Sequence, residues 1–352
     1  MSLLTPKVHP YRLPLRRPWV TAAGRFDSRS GWLLELHDRE GRRGFGECAP
    51  LPEAGTESPA EAAAALLRLV ERIEGQEAAA LWKEMPAGLP PACRCALESA
   101  LLDLLSRRAG LPAARWLNPH APLQVTTALN LGTLDRHTAE RLAGVPAGAV
   151  VKLKVGMAPV SEELERLRKL RRRLPAGVRF RLDANGAWER GQAERFLAGC
   201  AQLPVESLEE PLRQADVAAL GALQATVPFP LAVDESLERL GERLWQFPPI
   251  RRLVIKPMVA GGPRAALELA RRAGEAGMES LLTTVVEGAV GVWAVLHTAA
   301  ALEGERPSPP HGLATSGWLA RDLTTPPRLE GDSVALSERS GLLPAPPPGT
   351  FD

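Results

Sequence analysis

Five short apolar runs in the middle of the chain end in charged side chains, and their spacing is the strongest constraint on the fold. The charged ends recur at intervals of 22 to 31 residues between Lys152 and Lys256. An interval of that size holds one strand, one helix and their loops, and repeats of this unit close into a (β/α)-barrel. The charged ends are, in order, Lys152-Leu153-Lys154, Asp183, Glu209-Glu210, Asp234-Glu235 and Lys256. Parallel strands bring such ends to one mouth of the barrel, where barrel enzymes build their sites.

The chain is long enough for a barrel and a smaller domain, since it has 352 residues and a barrel needs roughly 250. Residues 1–118 show strand-like alternation and then two helical patterns at 59–73 and 92–108, which predicts an α+β domain. Residues 119–322 are predicted to form a barrel of about seven to eight units. Residues 323–352 are predicted to pack back on the N-terminal domain.

The eight predicted barrel strands are short apolar runs bounded by turn residues. They lie near 125–130, 150–155, 178–183, 205–210, 230–234, 253–256, 280–284 and 310–313. Predicted helices between them include 160–174, 192–201 and 264–277. Because proline-rich sequence follows Leu323, we expect the eighth helix to be missing or irregular.

Charge and hydropathy exclude several classes of partner. The 43 Lys and Arg residues nearly balance 41 Asp and Glu residues, which argues against a nucleic-acid-binding face. No apolar run is long enough for a signal peptide or a membrane span, so we expect a cytoplasmic protein. The four cysteines are too scattered for a disulfide framework, and we expect Cys93 and Cys95 to be core residues. The sequence does not give the oligomeric state, and a homo-oligomer is compatible with it.

Three of the charged strand ends carry carboxylates, at Asp183, Glu209 and Asp234. Carboxylates that converge from neighbouring strands repel one another unless a cation lies between them. An all-oxygen set of ligands selects a hard ion, and we predict Mg²⁺, with Mn²⁺ as a substitute. The alternative is that each carboxylate only caps the helix that follows it, which is common for a single Asp in such a loop.

Lysines end the second and the sixth predicted strands. Lys152 and Lys154 lie two residues apart, so their side chains project from one face of a strand. Neighbouring buried ammonium groups lower each other's pKa, and a lysine tuned in this way can act as a base. The alternative is an edge strand whose lysines face water. Lys256 would face Lys154 across the cavity, with the α-carbon of a small carboxylate substrate between the two.

These motifs together resemble the muconate-lactonizing subgroup of the enolase superfamily. The likeness is carried by Lys-x-Lys at 152–154, Asp183-Ala184-Asn185, Glu209-Glu210-Pro211, Asp234-Glu235-Ser236, Lys256-Pro257 and the capping-domain-like run at 46–52. It implies a modified TIM barrel with an N-terminal α+β capping domain. It also implies Mg²⁺ on Asp183, Glu209 and Asp234, and proton abstraction from a carboxylate to give an enediolate.

The resemblance also implies roles for the lysines. Lys154 would be the acid/base catalyst, and Lys152 would tune its pKa and touch the substrate carboxylate. Lys256 would stabilise the enediolate from the opposite face or act as a second base. Glu209, and not Glu210, would be the metal ligand, because alternation along the strand points Glu210 into the wall.

Within the subgroup, the runs 181–188, 287–291 and 311–315 are most similar to o-succinylbenzoate synthases, although Thr283-Thr284 and Glu-Gly-Ala depart from the usual pattern there. The likeness implies syn-dehydration of 2-succinyl-6-hydroxy-2,4-cyclohexadiene-1-carboxylate in menaquinone biosynthesis. The residues expected to bind that substrate are Arg181, Asn185, Thr284, Glu287 and Gly288.

Two other functions stay open from the sequence. One is a racemase of N-acylamino acids such as N-succinylamino acids, or a related epimerase or cycloisomerase, which would use the two opposed lysines as bases. Dipeptide epimerases usually carry Asp-x-Asp after the eighth strand, where this chain offers only Asp322. The other is a barrel that has lost catalysis and serves as a binding scaffold. We expect His311 to be a structural residue.

Overall fold

The computed structural model describes residues 3–21, 24–246 and 249–342, and its N-terminal part is an antiparallel sheet packed on helices. Strands β1 (Thr5–Thr21), β2 (Gly24–His37) and β3 (Arg43–Cys48) pair in that order. The helices that follow are α1 (Pro59–Ile73), α2 (Ala78–Lys83), α3 (Pro91–Ala109) and α4 (Ala113–Leu117). This is the α+β arrangement that the sequence predicts, and we call it the capping domain.

Helix α3 is the centre of the capping domain. It begins with Pro91 at its first position, and it ends at Gly110, whose φ of 71° supplies the left-handed C-cap. Strand β3 lies so close to this helix that a Cβ atom on Gly46 would come within 1.9 Å of the Ala96 carbonyl oxygen. Only glycine allows that approach.

We expect Gly46→Ala to lower the free energy of unfolding by about 3 kcal/mol, because the added methyl group must push β3 away from α3. Denaturant unfolding followed by circular dichroism measures this. Gly191→Ala is the matched control, since its Cβ would meet only the end of a flexible arginine at 3.6 Å. The control should be neutral or slightly stabilising. Equal effects in both variants would contradict the close-packing explanation.

The second part of the chain builds a curled parallel sheet wrapped by helices. Strand β4 (Gln124–Thr126) precedes the barrel strands β5 (Leu129–Thr133), β6 (Val150–Lys154), β7 (Arg179–Asp183), β8 (Val205–Glu209), β9 (Leu231–Val233), β10 (Arg252–Ile255) and β11 (Glu279–Leu282). The helices are α5 (Thr138–Arg141), α6 (Val160–Arg171), α7 (Arg190–Gly199), α8 (Val217–Gln224), α9 (Leu237–Leu240), α10 (Glu242–Gln246), α11 (Pro257–Ala260), α12 (Pro263–Glu275) and α13 (Ala289–Glu303). Strands β5 to β11 form one seven-stranded sheet in sequence order.

The barrel closes through a minimal eighth element instead of the predicted full strand at 310–313. His311 makes a single parallel bridge to Thr127, and Gly312 makes one to Thr283 at the end of β11. The side chain of His311 is fully buried, and its Nδ1 atom accepts a hydrogen bond from the Leu282 amide. Within the described residues no α-helix follows this element, as the sequence predicts.

The last described segment contacts both parts of the molecule. Strands β12 (Leu329–Glu330) and β13 (Ser333–Ala335) form a small sheet with β4. The Leu342 amide donates to Asp103 Oδ1 of the capping domain over 2.7 Å. The predicted packing of 323–352 on the capping domain includes residues 343–352, which lie outside the described residues.

Two further sequence-derived points concern cysteines and membranes. All four cysteines are buried and free, with the Cys48 and Cys93 Sγ atoms 3.8 Å apart. Glu57 lies beside this pair, but its carboxylate already accepts the Ala92 and Cys93 amides at the start of α3.

In the described part of the chain, every helix is too short or too polar to cross a bilayer.

Candidate active site

The strand register brings the predicted charged residues to one mouth of the barrel. Lys154, Asp183 and Glu209 are direct neighbours across β6, β7 and β8. Asp234 and Lys256 follow β9 and β10 immediately. Because all of these strands are parallel, five strand ends place their charges at the same edge of the sheet.

Ammonium and carboxylate groups alternate in this cluster. Lys152 Nζ lies 2.9 Å from Asp183 Oδ2 and also donates a hydrogen bond to Glu209 Oε2. On the other side of the cluster, Lys256 Nζ lies 2.8 Å from Asp234 Oδ1 and 3.0 Å from Glu235 Oε1. Each of the three predicted ligand carboxylates therefore already contacts a positive charge.

The carboxylates determine the charge state of two of the lysines. Burial by itself lowers the pKa of Lys152, but the charges of Asp183 and Glu209 outweigh burial and raise that pKa above its ordinary value. The pKa of Lys256 is raised in the same way by Asp234 and Glu235. The prediction that the two lysines of β6 depress each other's pKa is therefore wrong for Lys152, because its anionic partners are in direct contact with it.

Lys154 differs from the other two lysines. Its ammonium group forms no hydrogen bond or ion pair with any residue in the ranges 3–21, 24–246 and 249–342. Its charge nevertheless helps to lower the pKa of Asp183, for which burial acts in the opposite direction and Lys152 is the main favourable neighbour. Lys154 is thus the cluster's one lysine, among the described residues, whose amine is available to a bound molecule.

Two of the three predicted ligand carboxylates are placed to share a hard divalent cation. One cationic atom, Lys152 Nζ, contacts both Asp183 and Glu209, so a single ion can lie within reach of both carboxylates. Burial and the neighbouring Glu235 charge raise the pKa of Asp234 well above its ordinary value, although Lys256 acts in the opposite direction, so a further positive charge would stabilise its carboxylate form. An all-oxygen set of this kind suits Mg²⁺.

Glu210 supports the site from behind. Its Oε1 atom accepts the amides of Asp234 and Ser236 over 2.7 and 2.8 Å, and its Oε2 atom accepts the Ser236 hydroxyl over 2.6 Å. Its φ of 45° lies in the left-handed region, where the regular strand has ended. Glu210 therefore fixes the backbone that carries Asp234, in keeping with its assignment outside the ligand set.

The residues expected to bind substrate do not all lie at the mouth. Asn185 is exposed beside Asp183, whose Oδ1 atom accepts the Asn185 amide over 3.0 Å. Thr284 shares a hydroxyl hydrogen bond of 2.9 Å with Thr315. Arg181, by contrast, is fully buried below the mouth, where it donates to Glu206 Oε2 and to the Pro310 carbonyl. We therefore do not propose a contact between Arg181 and a substrate.

Glu287 and Gly288 face the capping domain. Glu287 is 2% exposed, and its Oε2 atom accepts the Val285 amide. Burial, with a smaller contribution from the charge of Glu47, raises the pKa of Glu287 to about 7. The Gly288 amide donates to Glu47 Oε1 over 2.6 Å. The contacts described for both groups are therefore with the protein itself, and their predicted role in binding substrate stays a prediction.

Sequence reasoning missed a charged network inside the barrel. Glu206 contacts Arg181 and Arg252, and Arg252 also pairs with Glu279 at 2.8 Å. Burial opposes ionisation of Glu206, yet the two arginines together lower its pKa to about 2. The sequence could have indicated this network, because charged residues inside an apolar strand run must be paired when the strand is buried.

Two family models match the chain. The model described as "Enolase C-terminal domain-like" matches residues 136–343, and the model described as "MenC, N-terminal domain" matches residues 4–96. Together they cover most of the barrel and most of the capping domain.

Similar proteins align over nearly the full length. An o-succinylbenzoate synthase of Thermosynechococcus vestitus is 30% identical over 324 residues, covering 90% of this chain and 94% of that protein. A hydrophobic dipeptide epimerase of Flavobacteria bacterium is 27% identical over 355 residues, covering 94% and 97%. The solved structure of muconate lactonizing enzyme from Pseudomonas fluorescens complexed with muconolactone superposes with a TM-score of 0.83 at 25% identity, covering 97% and 96%. The predicted fold class, a barrel with an N-terminal α+β domain, is confirmed.

Proposed function

This chain belongs to the enolase superfamily, and we propose that within the superfamily it is a Mg²⁺-dependent carbon–oxygen lyase, an o-succinylbenzoate synthase. The observation that carries the proposal is Lys154, which lies beside a buried carboxylate cluster and has no ion-pair partner among the described residues. The charged Lys256 follows a strand four positions away in the sheet. The match of the capping domain to a MenC N-terminal model and the 30% identical synthase support this choice of reaction.

The metal site in this proposal consists of Asp183, Glu209 and Asp234. Mg²⁺ bound there would supply a Lewis acid that polarises the substrate carboxylate and makes its α-proton more acidic. Glu210 holds the backbone of Asp234 in place for this purpose. Lys152, which contacts two of the three ligands, would remain charged near the substrate carboxylate.

Lys154 would perform both proton transfers. In its amine form it accepts the α-proton of the cyclohexadiene carboxylate, and the electrons of that C–H bond move into an enediolate. The ammonium of Lys154 then donates the same proton to the departing hydroxyl on the same face, so that the C–O bond breaks and water leaves. Lys256 holds positive charge against the opposite face of the developing anion. The product is the aromatic ring of o-succinylbenzoate.

A second candidate, epimerisation or racemisation of an acylated amino acid or dipeptide, is favoured by two observations. Lys154 and Lys256 end strands that lie four apart in the sheet, and a 27% identical relative is a dipeptide epimerase. A dipeptide substrate needs an anion for its free ammonium group. Asp322 is the nearest candidate from the sequence, yet its Oδ1 atom already accepts the Ala289 and Leu323 amides. We therefore favour the lyase.

With Mg²⁺ present, we expect the protein to dehydrate 2-succinyl-6-hydroxy-2,4-cyclohexadiene-1-carboxylate with kcat/KM of about 10⁴ M⁻¹ s⁻¹ or more. Loss of the diene absorbance measures this reaction. Racemisation of N-succinyl amino acids is followed in parallel by polarimetry. If only the amino acid reacts, the racemase proposal replaces the lyase proposal.

The Lys256→Arg variant separates the two chemistries. The rate of a two-base racemisation should collapse, while the rate of a one-base elimination should partly survive.

A further inference from the structure

The loop after β11, residues 283–288, contains a strained backbone position. Val286 has a φ of 61°, in the left-handed region, and is 5% exposed. A β-branched side chain in that region is a true outlier, because its Cβ substituents crowd the adjacent peptide. Such a conformation persists only when surrounding contacts enforce it, and strain of this kind is concentrated at functional sites.

A buried arginine of the capping domain supplies the enforcing contact. Arg29, on β2, is 4% exposed, and its Nε atom donates to the Val286 carbonyl over 3.2 Å. Its Nη1 and Nη2 atoms donate to the carbonyls of Pro50 and Ala49 over 3.2 and 2.9 Å. One rigid guanidinium therefore joins the segment after β3 to the loop after β11.

The two sides of Val286 are fixed as well. Glu287 Oε2 accepts the Val285 amide, which closes a tight turn around Val286. Glu47, on β3, accepts the amides of Gly288 and Gly291 over 2.6 and 2.8 Å. The capping domain thus holds both the carbonyl of the strained residue and the start of helix α13.

The loop is placed where its conformation affects a bound molecule. It leaves β11 at the carboxyl mouth of the barrel, in the sheet next to β10 and the Lys256 that follows it. Thr284 lies two residues before Val286, and its hydroxyl is paired with Thr315 of the segment that follows the closing bridge. A change of φ at Val286 would rotate the adjoining peptides and move this hydroxyl.

We propose that Arg29 is a positioning residue for the substrate: it holds Val286 in the left-handed conformation and so orients the loop at 283–288 for ligand binding. This inference rests on the proposed carboxylate-binding function of the same mouth. The hydrogen bonds described for Arg29 all go to backbone carbonyls, and its charge acts on Glu287 of the same loop, so its effect reaches the substrate through the loop.

The test uses the full-length protein with Mg²⁺. We expect Arg29→Met to raise KM for the diene carboxylate by about 10-fold, while kcat and the Mg²⁺ affinity change by less than about threefold. Val286→Gly alone should leave KM within about twofold, because glycine adopts positive φ freely. Combining Arg29→Met with Val286→Gly should reverse at least about half of the rise in KM. Arg29→Lys, which keeps the charge and one donor, should lie between the parent and Arg29→Met.

Asp103→Asn is the matched control. Asp103 is another fully buried capping-domain residue that accepts backbone amides, from Phe45 and Leu342, but these lie away from the mouth. It should lose stability and keep the parental KM. An unchanged KM in Arg29→Met, an equal rise of KM in Asp103→Asn, or no recovery with glycine at 286 would each overturn the proposal.

Amide hydrogen exchange gives a readout that does not depend on the reaction. Exchange in the peptide that covers 283–288 should be faster in Arg29→Met and return toward the parental rate in the double variant. If the parent has neither lyase nor racemase activity, the proposed function fails while this measurement still decides the positioning role. Parental exchange in Arg29→Met would count against it.

Discussion

Replacing Lys154 with alanine is expected to reduce kcat for dehydration by about 10³- to 10⁴-fold, with little effect on metal affinity. Positioned acid/base groups contribute up to about 10⁴-fold, and here one amine would perform two consecutive proton transfers. The structure gives the physical reason for choosing this lysine. The other two lysines of the cluster are held by carboxylates, whereas Lys154 has no such partner in the described part of the chain.

Steady-state kinetics on the diene carboxylate, with metal affinity measured by calorimetry, tests this expectation. Lys169→Ala is the control, because Lys169 lies exposed on α6 and pairs only with Glu165 among the residues described. Its kinetics should match the parent. If Lys154→Ala kept a tenth or more of the parental kcat, another group would be the base, and Lys256 would be the first to examine.

The second large effect is expected from Glu209→Gln, which should weaken Mg²⁺ binding by at least about 100-fold. Substitution of the groups that only support a metal ligand already costs about 10- to 100-fold, so loss of an anionic ligand should cost more. Glu210→Gln is the neighbouring comparison. It should weaken binding by no more than about 10-fold and mainly lower the midpoint of thermal unfolding. Two of its hydrogen bonds hold the backbone amides of Asp234 and Ser236, and the third holds the Ser236 hydroxyl.

Calorimetric titration of chelator-treated protein with Mg²⁺ measures both variants without any need for activity. The pair of residues gives a strict internal comparison, since the two side chains are identical and adjacent. The opposite result, with Glu210→Gln abolishing binding and Glu209→Gln sparing it, would shift the ligand assignment by one residue.

The fold and the grouping of charges at the mouth could be predicted because they depend on local sequence. Apolar runs that end in charges define strands and their carboxyl ends, and parallel topology then brings Lys154, Asp183 and Glu209 side by side. The predicted length of the eighth strand, 310–313, was too great, because only single bridges form there. An apolar run indicates that a segment is buried, but the extent of its pairing depends on the space that the other seven strands leave.

Side-chain directions near the loops were harder to predict. Regular strand alternation does not extend to positions where the backbone turns to positive φ, as it does at Asn185 and Val286. The roles of Arg29 and Glu47 involve partners 241 to 257 residues away in sequence, so no local pattern could indicate them. Arg181 was assigned to the substrate through a motif, whereas the structure pairs it with Glu206 in the interior.

The barrel wall is least secure where it closes. Strand β7 has extended neighbours on both sides, whereas the junction between β11 and β5 consists of single bridges at His311 and Gly312 and the few hydrogen bonds around them. Local opening costs less free energy where fewer backbone hydrogen bonds must break. We therefore expect local opening of the barrel sheet to occur mainly at this junction. The carboxylates of β7 and β8 lie in the middle of the sheet, away from it. We therefore expect the wall to open more readily at this junction than at the strand ends that carry Asp183 and Glu209.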